Sequence, residues 1–325
     1  MTATPLLALE GVRKRYRIRS GSWVARKEAD LWAVDGVSFA IAPGETVGIV
    51  GESGCGKTTT AKMALRLEQP TEGRILFDGA DLATLDGPAL RAYRGAVQAV
   101  FQDPWSSLNP RMRVGDIIAE PLRVNTGMSR SELAERVAGL LVQVGLQPWQ
   151  ARLYPHEFSG GQRQRITIAR AISLSPRLVV LDEPVSALDV SVQAQIMNLL
   201  RDLQDRLGLG FLLIAHSLGT VRYLCHRVVV MYLGQVVETA DAAALFQRPA
   251  HPYSQALIAA ALPGRPGEGD DDFPAIEGEI PSPANPPSGC RFHTRCPHVM
   301  PVCRTTPPRA STVAAGHVVS CHLHG

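Results

Sequence analysis

The chain has 325 residues, enough for one large domain with a substantial extension or for two domains. Hydrophobic residues make up 45% and charged residues 19%, which excludes a wholly disordered chain, a collagen or a coiled-coil rod. The net charge of +3 is too small to indicate nucleic acid or an anionic membrane surface as the partner.

The sequence has no run of about 18 apolar residues that could span a membrane. Its N-terminus lacks the apolar core of a signal peptide, because the apolar residues after Leu6 are soon followed by Glu10 and a basic stretch. We therefore expect a chain that stays in the cytosol.

The chain up to about Ile49 is predicted to be rich in β-strands. A strand over residues 46–50 leads into a match to the phosphate-loop pattern G-x-x-x-x-G-K-[ST], and a helix is predicted from Lys57 to about Leu67. In such a loop, backbone N–H groups and the helix dipole bind phosphate, Lys57 bridges the β- and γ-phosphates, and Thr58 ligates Mg²⁺. The residues predicted to bind nucleotide here are Gly51, Glu52, Ser53, Gly54, Cys55, Gly56, Lys57, Thr58 and Thr59.

The sequence between Gln102 and Ser159 predicts an all-helical insertion. Its clearest helix begins at a capping box formed by Ser129 and Glu132. This helix carries one apolar stripe, made of Leu133, Val137, Leu140, Leu141 and Val144.

Two acids end a short apolar strand over residues 178–181. Asp182 is placed to bind Mg²⁺, and Glu183 is placed to polarise an attacking water. Further apolar runs over 211–215 and 228–232 are typical of strands covered on both faces, which predicts an α/β fold. Together with the phosphate loop, the acids favour nucleoside triphosphate hydrolysis, and on these two motifs alone a phosphotransferase kinase stays open.

A serine and two glycines at a predicted helix start would present a hydroxyl and bare backbone N–H groups to an anion. These residues are Ser159, Gly160, Gly161 and Gln162, which lie upstream of the acidic pair. In this order the motifs resemble those of ATP-binding cassette (ABC) ATPases, over about residues 6–262.

The resemblance implies an ABC-type P-loop ATPase of α/β class, with a RecA-like core, a β subdomain and a helical subdomain. The core with its β subdomain would occupy residues 1–102 and 166–262, and the helical subdomain residues 103–165. Residues 263–325 would form a proline-rich C-terminal extension with a metal-binding cysteine cluster.

The resemblance also implies roles for single residues. Glu183 would activate water, His216 would bind the γ-phosphate, and Gln102 would sense Mg²⁺ and the attacking water. Thr58, Gln102 and Asp182 would surround Mg²⁺, while the residues 159–162 of one subunit would contact ATP bound to a second subunit. Tyr16 is predicted to stack on adenine, and Trp32 is the alternative.

Residues 102–110, 157–165 and 251–257 resemble the ATPases of oligopeptide and dipeptide importers. This implies a peripheral protein on the cytoplasmic face of the inner membrane, in which ATP-driven closure of a dimer powers peptide uptake. The implied partners are a second ABC ATPase subunit (the same chain or a related one), two transmembrane permeases and, indirectly, an extracytoplasmic substrate-binding protein, with no nucleic acid. Nickel or glutathione importers, and a soluble ABC ATPase not involved in transport, are the alternatives.

Four cysteines lie close to the C-terminus, at Cys290, Cys296, Cys303 and Cys321. In a reducing compartment this pattern indicates a metal site before a disulfide framework. Spacing alone leaves a [4Fe-4S] cluster and Zn²⁺ near parity. The resemblance to peptide-importer ATPases favours the iron–sulfur cluster, with stapling of the extension as its expected role and an independent metal-binding module as an alternative.

Overall fold

The computed structural model describes residues 4–20, 27–261 and 278–325, and the chain forms two compact units. The first unit comprises Met1–Leu6, Ile41–Thr46 and Thr84–Leu213. The second unit comprises Leu7–Ala40, Val47–Ala83 and Ile214–Gly325.

The described residues form both strands and helices, as an α/β sequence pattern predicts. The strands are β1 (Leu7–Ser20), β2 (Lys27–Ile41), β3 (Thr46–Val50), β4 (Glu72–Phe77), β5 (Ala80–Asp81), β6 (Val97–Val100), β7 (Leu178–Asp182), β8 (Gly210–Ile214), β9 (Arg227–Tyr232), β10 (Gln235–Asp241), β11 (Ala310–Ala314) and β12 (His317–Ser320). The α-helices are α1 (Lys57–Ala64), α2 (Gly87–Ala96), α3 (Pro104–Ser107), α4 (Val114–Asn125), α5 (Arg130–Gln143), α6 (Gly160–Ala171), α7 (Val190–Leu207), α8 (Leu218–Leu224), α9 (Ala242–Gln247) and α10 (Pro252–Ala261). Short 3₁₀ helices cover Leu82–Thr84, Pro148–Arg152, Pro155–Glu157 and Pro301–Arg304.

The second unit contains two groups of strands. One is a four-stranded sheet of order β2-β1-β4-β5, in which β1 and β4 run antiparallel with Leu7 opposite Phe77. The other has the order β11-β12-β10-β9-β3, with β3 and β9 parallel and Gly48 opposite Val228. All five residues of β3 are buried, so the strand that leads into the phosphate loop is fixed in the core.

The first unit combines parallel strands with a helical segment. Its strands follow the order β8-β7-β6, and β7 pairs in parallel with β6, so that Leu181 lies opposite Val100. The chain between β6 and β7, described throughout, consists of α3, α4, α5, α6 and two of the 3₁₀ helices. The all-helical prediction for residues 103–158 is therefore confirmed.

Helix α5 forms as its sequence predicts. The Ser129 side chain accepts a hydrogen bond from the Glu132 N–H, and the Glu132 carboxylate accepts one from the Ser129 N–H, which completes the capping box. The predicted apolar stripe is buried throughout, with exposures of 9% or less. Burial of this stripe, more than intrinsic propensity, stabilises such a helix.

Helix α1 ends at Ala64, three residues before the predicted end at Leu67. Leu65 caps the helix, and Arg66 takes a left-handed conformation with φ of 52°. A left-handed residue directly after the cap ends a helix, and arginine gives no sequence signal for that conformation.

The C-terminal residues form a hairpin that was not predicted from the sequence. Strands β11 and β12 pair antiparallel around Gly316, which has a φ of 71°, and β12 also pairs with β10. The proline-rich stretch predicted as a linker lies in large part outside the described residues, and the predicted domain boundaries stay a prediction. Within the described ranges, no helix combines the length and apolar character needed to cross a membrane.

Candidate functional site

The phosphate loop of the second unit joins β3 to α1 as predicted. Gly51 has a φ of 148°, and a Cβ there would lie 2.2 Å from the Met231 carbonyl oxygen. Gly56 has a φ of 108°, and a Cβ there would lie 2.4 Å from the Ala33 carbonyl oxygen. Both positions therefore require glycine.

Helix α1 begins without a side-chain cap, because Gly56 occupies its N-cap position. The first N–H groups of an α-helix have no partner within the helix, so an uncapped start suits a phosphate ligand. Lys57 is only 5% exposed, and its Nζ donates to the carbonyl oxygens of Gly51 at 2.7 Å and Glu52 at 3.0 Å. The ammonium group is thus fixed inside the curve of the loop.

A cleft of about 140 Å³ opens over this loop. Its lining includes Lys57, Thr58, Ala33 and His216, so the structure brings the predicted phosphate-binding histidine to the phosphate loop. His216 lies between β8 and α8, and the side chain of the next residue, Ser217, caps α8 by accepting from the Thr220 N–H. Serine is among the residue types that cap helix N-termini best.

The two aromatic candidates for adenine stacking lie on the strands of the antiparallel sheet. Neither Tyr16 nor Trp32 lines the cleft, although Ala33, the neighbour of Trp32, does. The Trp32 ring faces the guanidinium groups of Arg13 and Arg15, at 5.5 and 5.7 Å from the ring centroid. The choice between Tyr16 and Trp32 stays a prediction.

The acidic residues lie in the first unit, at the C-terminal end of β7. Asp182 is the last residue of that strand, and Glu183 follows it with a left-handed φ of 49°. A non-glycine residue in this conformation is strained, and such strain is concentrated at functional sites. Gln102 Nε2 donates to Glu183 Oε2 at 2.8 Å, so these two predicted residues lie in direct contact.

The tetrapeptide of residues 159–162 begins α6, also in the first unit. Ser159 and Gln162 form a capping box, with the Ser159 Oγ accepting from the Gln162 N–H at 3.3 Å. Ser159 is exposed, whereas Gly161 is buried, and a Cβ on Gly161 would lie 2.4 Å from Cγ1 of Val192 in α7. The hydroxyl therefore faces solvent at a helix start whose close packing requires glycine.

A contact that was not predicted from the sequence joins the C-terminal segment to the phosphate loop within the second unit. The Arg295 guanidinium donates two hydrogen bonds to the Glu52 carboxylate, at 2.8 and 3.0 Å. The Tyr253 hydroxyl accepts from the Glu52 N–H at 2.8 Å. Arg295 lies 243 residues after Glu52 and belongs to no nucleotide-binding motif, so only the fold reveals the pair.

The four cysteines near the C-terminus form no disulfide bonds. The Cys290 N–H donates to the Cys303 carbonyl oxygen at 2.8 Å. Burial, together with the negative charges of the other three thiolates, raises the pKa of the Cys290 thiol to about 11. Burial likewise raises the pKa values of Cys296 and Cys321. Among the residues that the structure describes, no group of three or more His, Cys, Asp or Glu side chains is arranged to hold a metal ion.

Comparison with known proteins identifies the family. The ABC transporter family model matches residues 34–186, and the model of the oligopeptide/dipeptide transporter C-terminal region matches residues 237–303. A putative peptide import ATP-binding protein of Brucella ovis is 51% identical, over 99% of this chain and 98% of that protein. The chain belongs to the ABC transporter ATP-binding proteins of the oligopeptide and dipeptide transporter family.

Further relatives support the same assignment of this ABC protein. The oligopeptide transport ATP-binding protein AppF of Bacillus subtilis is 50% identical, over 98% of this chain and 97% of that protein. The dimeric ATP-binding cassette MJ0796, solved with bound ADP and phosphate, aligns with a TM-score of 0.63 and 29% identity, over 73% of this chain and 98% of that one. The predicted P-loop α/β ATPase fold is confirmed.

Proposed function

We propose that this chain is the ATP-hydrolysing subunit of an ABC importer that takes up dipeptides or oligopeptides. The observation that carries the proposal is the match of residues 237–303 to the C-terminal region of peptide transporters, in a chain whose phosphate loop has the geometry described above. The close relatives named for peptide import and oligopeptide transport support the substrate class. Nickel and glutathione are the alternative substrates that a transport assay has to separate.

The catalytic roles follow from the chemistry of the two groups of residues. In the second unit, Lys57 and the uncapped start of α1 would bind the phosphates, and His216 would contact the γ-phosphate. In the first unit, Glu183 would accept the proton of the attacking water, with Gln102 orienting its carboxylate. Hydrolysis would then let a closed dimer reopen, so that catalysis drives a conformational change.

Oxygen ligands of the kind that Mg²⁺ prefers are present in both groups. The exposed Thr58 hydroxyl, the Asp182 carboxylate and the Gln102 amide oxygen are the proposed ligands. Bound Mg²⁺ would neutralise charge that develops on the phosphates. Ser159 and Gly161, at the start of α6, are proposed to contact ATP held by the partner ATPase.

The proposed assembly places this subunit at the cytoplasmic face of the inner membrane, bound to two permeases and a second ABC ATPase. The second ATPase is a copy of this chain or a related chain, and an extracytoplasmic binding protein would deliver the peptide. Affinity purification from detergent-solubilised membranes tests the assembly. Two membrane proteins in stoichiometric amounts are expected, whereas recovery with ribosomes or nucleic acid would favour the soluble ABC ATPase.

For the cysteine segment we propose a [4Fe-4S] cluster bound by Cys290, Cys296, Cys303 and Cys321, with Zn²⁺ as the alternative metal. The backbone hydrogen bond from the Cys290 N–H to the Cys303 carbonyl oxygen brings two of the four cysteines together, although the described side chains are not arranged as a metal site. Thiolate sulfur suits both iron–sulfur clusters and zinc. Anaerobic purification followed by iron, sulfide and zinc assays decides, since a zinc-only or metal-free protein would refute the cluster.

A further inference from the structure

Glu52, the second residue of the phosphate loop, has each of its polar groups bonded within the second unit. Its N–H donates to the Tyr253 hydroxyl at 2.8 Å, and its carbonyl oxygen accepts from Lys57 Nζ at 3.0 Å. Its carboxylate accepts two hydrogen bonds from Arg295. The side chain thus points to the C-terminal segment, while the backbone bonds fix the start of the loop.

Arg295 is itself firmly placed. Its side chain is only 6% exposed, and its guanidinium lies 5.9 Å from the centroid of the Tyr232 ring. The hydrogen bonds with Glu52 raise the pKa of the guanidinium, so Arg295 stays charged. Bidentate pairing of arginine with a carboxylate fixes both position and orientation, which a single hydrogen bond does not do.

The surrounding aromatic side chains join the C-terminal segment to the same region. Phe292 is 1% exposed, and its ring centroid lies 5.2 Å from that of Tyr232 and 5.4 Å from that of Tyr253. Tyr253, which accepts from the Glu52 N–H, therefore also packs against the C-terminal segment. Two independent contacts, one polar and one aromatic, connect that segment to one residue of the loop.

We propose that Arg295 is a positioning residue for the phosphate loop, and that through Glu52 it makes nucleotide affinity depend on the docking of residues 290–304. The inference rests on the proposed role of this loop in binding nucleotide. A loop held in its binding conformation loses less entropy when the ligand binds, so loss of the Arg295 contact weakens binding. The proposed general base Glu183 and the proposed γ-phosphate ligand His216 lie outside the loop, so the maximal rate of hydrolysis is affected less.

The direct test compares MgADP binding by calorimetry in the full-length protein and in Arg295→Met. We expect the dissociation constant to rise about tenfold, as loss of a charge-assisted hydrogen-bonded pair predicts. In the same variant, KM for ATP rises and kcat at saturating ATP changes less than twofold. Arg295→Lys keeps the charge but not the bidentate geometry. Its dissociation constant for MgADP should therefore lie between those of the unmodified chain and Arg295→Met.

Arg304→Met is the matched control, since Arg304 is an exposed arginine of the same segment. It should bind MgADP as the unmodified chain does. Glu52→Gln provides a second route to the same contact if Arg295→Met folds poorly, and it should also weaken MgADP binding. The double variant Arg295→Met/Glu52→Gln should bind MgADP no more weakly than Arg295→Met alone, because the two substitutions remove the same interaction.

Reciprocity gives a readout that a purely structural role would not move. If docking strengthens nucleotide binding, bound MgADP must strengthen docking by the same factor. We expect MgADP to slow hydrogen exchange of the Cys290 and Arg295 amides, which donate to Cys303 and Phe292, and to do so less in Arg295→Met.

Unchanged MgADP affinity in both Arg295→Met and Glu52→Gln would overturn the inference. The proposed function is tested separately by Lys57→Ala. Loss of MgADP binding in Lys57→Ala, with no effect of Arg295→Met, would contradict only the positioning role. Unchanged binding in Lys57→Ala would contradict the function of the loop itself.

Discussion

The side-chain amide of Gln102 donates a hydrogen bond to the carboxylate of Glu183 across 2.8 Å. Gln102 follows β6 after one intervening residue, and Glu183 follows β7 directly, so the parallel pairing of these two strands brings their ends together. The contact fixes a carboxylate oxygen on a residue with a strained backbone. Such an arrangement suits a general base that must be aimed at one water molecule.

Glu183→Gln should abolish steady-state ATP hydrolysis while leaving ATP binding intact. The amide has nearly the same shape as the carboxylate but cannot accept a proton, and loss of a general base costs about 10²–10⁴-fold in rate. Phosphate release and equilibrium binding of MgATP measure the two properties. Glu135→Gln, an exposed carboxylate on α5, is the control that should hydrolyse normally. A Glu183→Gln protein with normal turnover would show that another group is the base.

Gln102→Glu should move the acid limb of the pH–rate profile to higher pH. The substitution sets a second carboxylate against Glu183, and two carboxylates at hydrogen-bond distance share a proton. Fewer molecules then have an ionised base near pH 7, and the rate there falls. Gln102→Ala removes the contact without adding charge, so its rate should fall with no shift of the profile. Equal profiles for both variants would mean that the two side chains do not interact during catalysis.

Gly161→Ala should lower the melting temperature, because the new methyl group meets Cγ1 of Val192 at 2.4 Å. Overpacking of this kind costs about 1–3 kcal/mol. Val192→Ala removes the obstructing atom, so the double variant Gly161→Ala/Val192→Ala should recover most of the loss that Gly161→Ala causes. Thermal denaturation of the three variants measures this. If the losses in melting temperature add in the double variant, the steric clash of Gly161→Ala is with a residue other than Val192.

His251 should make the protein less stable as the pH falls below about 6.5. Burial, with the charge of His324 as a second cause, lowers the pKa of His251 to about 3, and its Nδ1 accepts from the Tyr253 N–H. Because the folded-state pKa is lowered, the unfolded chain binds this proton first, and stability is lost from pH 6.5 towards pH 3. The slope is about 1.4 kcal/mol per pH unit.

Chemical denaturation at pH 7.5 and 5.5 tests the His251 prediction. His251→Asn keeps a side-chain acceptor for the Tyr253 N–H but does not titrate in this range. Its stability should change less between the two pH values than that of the unmodified chain. The same pH dependence in both proteins would assign the effect to other groups.

Features whose interacting residues lie close together in the sequence could be predicted from it. The phosphate loop has fixed spacing directly after a buried strand, and the capping box of Ser129 and Glu132 lies within four residues. The four-residue start of α6 at Ser159 is equally local, and it forms as expected. In each case the pattern and the physical cause lie within one short segment, so no tertiary information is needed.

Features that depend on distant contacts could not be predicted. The Arg295–Glu52 pair joins residues far apart in the chain, and no motif marks either side chain as a partner of the other. The hairpin of β11 and β12 is short, and its signal was limited to β-branched residues around Gly316. Thr312 and the three valines of the hairpin favour strands, but pairing with β10 depends on the whole second unit.

Peptide uptake is the most direct test of the central claim that this chain powers peptide import by hydrolysing ATP. Cells that lack the chromosomal copy are supplied with the unmodified chain or with Glu183→Gln, and uptake of a radiolabelled tripeptide is measured, with nickel and glutathione as competitors. We expect rapid uptake with the unmodified chain, almost none with Glu183→Gln, and competition by unlabelled peptides only. Equal uptake with the two proteins, or with neither present, would contradict that claim.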